Sequence, residues 1–265
     1  MAVNHRAGSS LEIASTRGPT RIASLVLNEH HPALSIALHL LPGVLTGAVY
    51  LLLRQPVIAH GYPSLVALNL AIPIALIPST LGPLMYLGYK RNGRLSLQGV
   101  VKYRNPLQLS RWLVYVPLTF GACLVLIIIL DKVVSPALQT TLFGWMPVVD
   151  WGLGGGYSRA VLIESYALVA VFSSLVEPIV EEVYFRGFLL PRMRYSGRGT
   201  TLLHSFLYAL YHLWYPWRLV TLTISMTPLV FSVRRTKNIY VGMIVHTLLD
   251  SFYLIFGLAF ILGMR

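Results

Sequence analysis

The sequence predicts an all-α, polytopic transmembrane helix bundle of about seven to eight spans, and three observations carry that prediction. Hydrophobic residues fill 55% of the 265 positions and charged residues only 11%, giving a mean hydropathy of +0.67, more than a water-soluble domain of this length carries. The apolar residues come in runs of about 20, the length that crosses a bilayer as a helix, without the alternation of barrel strands. Lys and Arg collect between the runs. The formal charge of +12 therefore reads as loop cations, and no nucleic-acid partner is expected.

Taken in order, the spans are 33–53, 64–89, 112–130, 160–185, 201–217, 219–233 and 239–262. The fifth and sixth are short, and only Pro216 to Arg218 separates them, so they form one hairpin or include a re-entrant piece. An eighth helix is conceivable over 135–150, but Pro136, Trp145 and Pro147 there suit an interfacial stretch better. Residues 1–32 are polar, with neither an apolar stretch nor a small-residue cleavage site, which predicts no cleaved signal peptide. They form a cytoplasmic N-terminal segment, and 33–265 one transmembrane domain. Cys123 is the single cysteine, so there is no internal disulfide and no cysteine metal cluster.

Counting Lys and Arg between spans places 16 in one alternate set of loops and 5 in the other. The positive-inside rule then puts the N-terminus in the cytoplasm, in a membrane expected to be the bacterial cytoplasmic one. Residues 90–111 carry six of these cations. Beside Tyr103 and Trp112 they suit anionic lipid headgroups, although the topology signal alone accounts for them.

Only nine acidic residues exist, yet Glu164, Glu177, Glu181 and Glu182 fall on the fourth span and Asp250 on the last. An ionisable group in hydrocarbon costs about 2.5–3.5 kcal/mol on insertion scales, so a cluster needs partners, water or a purpose. Glu182 and Arg186 are spaced to pair on one helix face. Glu181 points about 100° away and shares a face with Glu177. Pro178 removes a backbone donor and kinks the helix beside them. A helix-end ion pair explains Glu182 and Arg186 but not Glu181 or Glu177. Among the histidines, His30, His31 and His60 look interfacial. His212 and His246 lie within separate spans, and Asp250 sits four residues after His246, on its face of the helix. Three spans thus contribute buried ionisable groups, which are most cheaply buried against one another.

These residues form three ordered motifs: Glu181-Glu182 with Arg186, Tyr208 with His212, and His246 with Asp250. In order and spacing they resemble the CPBP intramembrane proteases (CAAX protease and bacteriocin-processing, or Abi), to which the type II CAAX prenyl endopeptidases belong. The resemblance covers about residues 160–255, the expected catalytic core. Tyr208 stands where Phe is usual, and Asp250 where Asn is the more natural hydrogen-bond donor.

The resemblance implies an intramembrane endopeptidase acting on a peptide or a prenylated protein. Glu181 is the implied base, since a carboxylate in an apolar cavity can activate water. His212 shares that water, His246 donates to the tetrahedral oxyanion, and Asp250 fixes its tautomer. Glu182 and Arg186 hold the helix end, with Tyr208 in support. No cofactor is expected; the alternative is Zn²⁺ held by Glu181, His212 and His246, although the compact His-Glu-x-x-His helix is absent. The rival class is a non-catalytic membrane protein, either a bacteriocin immunity factor or a small-solute or proton transporter. No repeated, Gly/Pro-broken halves mark a transporter. A shared site requires these groups to converge within about 4–6 Å around a wet cavity, expected to open to the cytoplasm. One conflict stands: His212 lies about 12 residues, or about 18 Å, from the basic loop, deeper than Glu181. Tilt or a late helix start must reconcile them.

Overall fold

The computed structural model describes residues 26–263. Most of the expected N-terminal segment 1–32 lies outside the described residues, as does Arg265. Among the described residues seven main helices follow one another: α1 Pro32–Ala59, α2 Leu65–Asn92, α3 Leu109–Thr141, α4 Arg159–Arg192, α5 Thr200–Tyr211, α6 Leu219–Thr236 and α7 Ile239–Leu262. No strand occurs among the described residues. Helices α1 to α4 and α7 are long and apolar enough to cross a membrane. At 12 residues, α5 reaches only about 18 Å, short of the ~30 Å hydrocarbon core. It is an inner helix, packed between α1 and α6, while α3 backs α6 and α7 lies on α3 and α4.

Two expectations about the elements change. The eighth helix over 135–150 does not form, because α3 continues through Ser135 and Pro136 to Thr141. Its 33 residues make it about 49 Å long, so its last turns outreach the hydrocarbon. The fourth span ends at Arg192 and not near 185, because the Arg192 guanidinium is buried and donates to the carbonyls of Leu27, Phe188 and Val100 at 3.2, 2.6 and 2.9 Å. Both Arg186 and Arg192, counted as loop cations, are inside the protein. Removing them lowers that set of loops from 16 to 14 and leaves the charge asymmetry in place.

Helix α4 is not regular. Pro178 has no N–H to donate, and the turns around it widen: Val169–Val176 and Glu182–Leu189 are π-helical, with Glu177–Glu181 an α-helical turn between them. The N–H of Glu177 reaches back five residues to Phe172, and that of Leu190 to Phe185. Local π-helical widening is frequent at functional sites. The α-turn keeps Glu177 and Glu181 on one face, and the wide turns re-phase the side chains on either side of it.

Glycines let the helices meet closely where the cluster sits. A Cβ at Gly43 on α1 would overlap the Tyr211 carbonyl, and one at Gly242 on α7 would overlap the Glu182 carboxylate. Gly43→Ala should therefore cost about 1–3 kcal/mol and lower the thermal unfolding midpoint in detergent. Gly82→Ala, which meets nothing within 4 Å, should leave it unchanged.

Candidate active site

Arg186 anchors the cluster. Fully buried, its Nη1 lies 3.2 Å from Glu182 Oε1, and its guanidinium stacks 3.8 Å from the centre of the Tyr208 ring. Glu182 Oε1 in turn accepts from His246 Nδ1 at 3.1 Å. That bond directs the other imidazole nitrogen, Nε2, away from α4 and toward Tyr208 and Glu181. Tyr208 donates its hydroxyl to Glu181 Oε2 at 2.6 Å and stands 3.3 Å from His246 Nε2.

Glu181 faces the two histidines with different oxygens. Its Oε2 is 3.8 Å from His246 Nε2 and its Oε1 is 4.0 Å from His212 Nε2. Oε1 is buried and has no hydrogen-bond partner in the protein. His212 lies one residue past the end of α5, not within a span as expected, and donates Nδ1 to the Tyr208 carbonyl at 3.0 Å. That bond assigns the Nδ1–H tautomer and leaves the Nε2 lone pair toward Glu181. Asp250 Oδ2 lies 3.6 Å from His246 Nε2, on the side of the ring that faces Glu181. The nitrogen that fixes the tautomer is therefore held by Glu182, not by Asp250 as expected. The structure brings together all seven residues of the three motifs, whereas Glu164 pairs with Tyr62 away from them.

The depth conflict resolves through the helix ends. Glu181 is 11 positions before Arg192 and His212 is 12 positions after Thr200, so both stand about 16–18 Å from the turn between α4 and α5. Glu181, His212, His246 and Asp250 line one cavity of about 130 Å³, large enough for several waters. Glu177 and Ser173 from α4, Trp214 and Arg218 from the turn after α5, and Tyr253 from α7 line it too. Sequence reading passed over the last four, since nothing local marks a residue whose role comes from a distant helix. No residue of the basic loops lines the cavity, so the cytoplasmic opening expected from the sequence has no lining residue there.

The donor set does not have the shape of a three-ligand zinc site. Tetrahedral zinc with ligands at about 2.0–2.1 Å holds its donor atoms about 3.4 Å apart. Here the two imidazole nitrogens approach different oxygens of Glu181 at 3.8 and 4.0 Å, and Oε2 is already bonded to Tyr208. Among the described residues no group of three His, Cys, Asp or Glu is arranged to hold a metal.

Helices this long and apolar define an integral membrane protein. Residues 163–252, or 90 of the 265, match the family described as type II CAAX prenyl endopeptidase Rce1-like. The match bears out the family resemblance of the three motifs and spans all seven residues of the cluster. No curated protein and no solved structure matches the chain.

Arg186→Met would strand Glu182 in the interior. Removing one partner of a buried ion pair costs about 3–5 kcal/mol, which thermal unfolding in detergent should register. Arg194→Met, which breaks an exposed pair with Glu29, should change stability by less than about 1 kcal/mol.

Proposed function

We propose that this protein is an intramembrane endopeptidase of the CAAX-protease type that hydrolyses a peptide bond with a glutamate-activated water and no metal. One observation carries the reading: Glu181 Oε1 and His212 Nε2, both hydrogen-bond acceptors, face each other across 4.0 Å at the cavity wall. A gap of that size is bridged by a water. Such a water donates one hydrogen to each group and turns a lone pair outward, toward a peptide carbonyl. As it attacks the carbonyl carbon, Glu181 takes one of its protons and later delivers it to the leaving amine. His246, doubly protonated with its Nδ1–H kept on Glu182, donates its Nε2–H to the oxyanion. Glu182 and Arg186 are positioning residues that orient the imidazole. Tyr208 holds Glu181 by its hydroxyl and Arg186 by its ring. Asp250 acts through His246, because an ionised carboxylate repels an oxyanion directly.

The substrate in this reading is a peptide or a prenylated protein held in the bilayer. The N-terminus lies in the cytoplasm and the membrane is the bacterial cytoplasmic one. The matched family supports the substrate class, and the loop charges support the cytoplasmic N-terminus. With purified, lipid-reconstituted protein and a panel of apolar and prenylated peptides, Glu181→Gln should lose cleavage by about 100-fold or more while keeping the parent's thermal midpoint. Cleavage that survives this change contradicts the reading. Zinc chelators should leave the rate unchanged; loss that only added zinc restores would show that a metal takes part.

A further inference from the structure

The cavity beside Glu181 holds more negative charge than the protein neutralises. Its lining includes three carboxylates, Glu177 and Glu181 one turn apart on α4 and Asp250 on α7. The neighbouring cations are already engaged. Arg186, outside the lining, pairs with Glu182 at 3.2 Å, and Arg218, within it, is neutralised by Asp131 through Nε to Oδ1 at 3.1 Å and Nη2 to Oδ2 at 2.5 Å. His246 is the remaining cation, its Nε2 placed 3.6 Å from Asp250 Oδ2 and 3.8 Å from Glu181 Oε2. One imidazolium against three carboxylates leaves two negative charges. Glu177 makes no ion pair among the described residues.

Two further features of the same space suit a cation. Glu181 is only 1% exposed, and its Oε1 has no hydrogen-bond partner in the protein although the residue lines the cavity. Trp151, Trp214 and Tyr215 line it as well, and aromatic faces attract an ammonium or guanidinium most strongly where water is excluded. An uncompensated carboxylate is costly within a membrane, so the balancing charge arrives either as a proton or on a ligand. A proton leaves the aromatic rings without a role. A cationic side chain uses both, its head against the carboxylates and its apolar stem along the rings.

We propose that this cavity takes a cationic side chain of the substrate, a Lys ammonium or Arg guanidinium held at Glu177, within about two residues of the scissile bond. The proposal rests on the proteolytic reading and adds the charge of the peptide that the site selects. The distance follows from two repeats. Glu177 stands one helical turn, about 5.4 Å, from Glu181, and an extended peptide advances about 3.3 Å per residue. Glu177 is thus a specificity-determining residue that meets a substrate side chain and takes no part in the attack on the carbonyl. A peptide of the same shape without the charge leaves the carboxylate uncompensated, which is how a site discriminates against it.

Binding tests this without any cleavage. In the purified full chain, tryptophan fluorescence should follow a ligand entering beside Trp151 and Trp214, and n-pentylammonium should bind about tenfold or more tighter than 1-pentanol, its uncharged counterpart. This comparison needs no variant to fold. Glu177→Gln, which keeps the shape and removes the charge, should abolish the preference while leaving the thermal midpoint unchanged or higher. In cleavage, peptides with Lys one or two residues from the scissile bond should show kcat/KM about tenfold or more above their norleucine twins. In Glu177→Gln the twins should converge, with the norleucine peptide cut at the parental rate. Amine bound no tighter than the alcohol, a preference that survives Glu177→Gln, or norleucine peptides cut as fast as their lysine twins would overturn the proposal. Amine binding that Glu177→Gln abolishes, in a protein that cuts no peptide, would support the cation site and count against proteolysis alone.

Discussion

Burying charge in a membrane calls for a partner, and at the centre of the cluster that partner is the Arg186 guanidinium. It neutralises Glu182 at 3.2 Å and lies flat on the Tyr208 ring. Glu182 then has an oxygen that orients His246, and Tyr208 a hydroxyl that orients Glu181. A single buried cation thus sets two of the three groups that face one another at the cavity wall. The third, His212, is set by backbone: α5 stops one residue before it, and its ring donates to the Tyr208 carbonyl. The glycines at 43 and 242 allow α1 and α7 to close around this arrangement.

The lipid-facing surface and the polar interior divide the work. Large apolar side chains on α1, α3 and α7 remain exposed, Leu52 and Leu118 among them, as membrane helices require. Polar hydroxyls between helices are satisfied against one another, as with Thr119 and Ser232 at 2.6 Å or Ser135 and Thr221 at 2.8 Å. Such contacts fix how helices pack where apolar burial gives no preference between helix and lipid.

Much of this was legible in the sequence, for identifiable reasons. Hydropathy located the five helices long and apolar enough to cross a membrane, because a span must be apolar over about 20 residues whatever it packs against; it did not foresee that the expected span 201–217 is the short inner helix α5. The four-residue spacings of Glu182 with Arg186 and of His246 with Asp250 followed from helix periodicity. What was not legible depended on contacts between distant residues. The end of α4 at Arg192 is set by carbonyls of Leu27 and Val100, and the orientation of His246 by a carboxylate 64 positions away. The wide turns around Pro178 re-phase α4 in a way that a regular 3.6 period does not describe. The aromatic residues after α5 that line the cavity, Trp214 and Tyr215, carry no local signature.

In the proposed mechanism Tyr208 acts only through Glu181, holding one carboxylate oxygen while the other faces His212 across the water. A double-mutant cycle on peptide cleavage measures that directly, because residues acting as a unit are strongly non-additive. The account predicts that Tyr208→Phe slows the parent enzyme but adds no further loss to Glu181→Gln. Independent, multiplying effects of the two substitutions would contradict it.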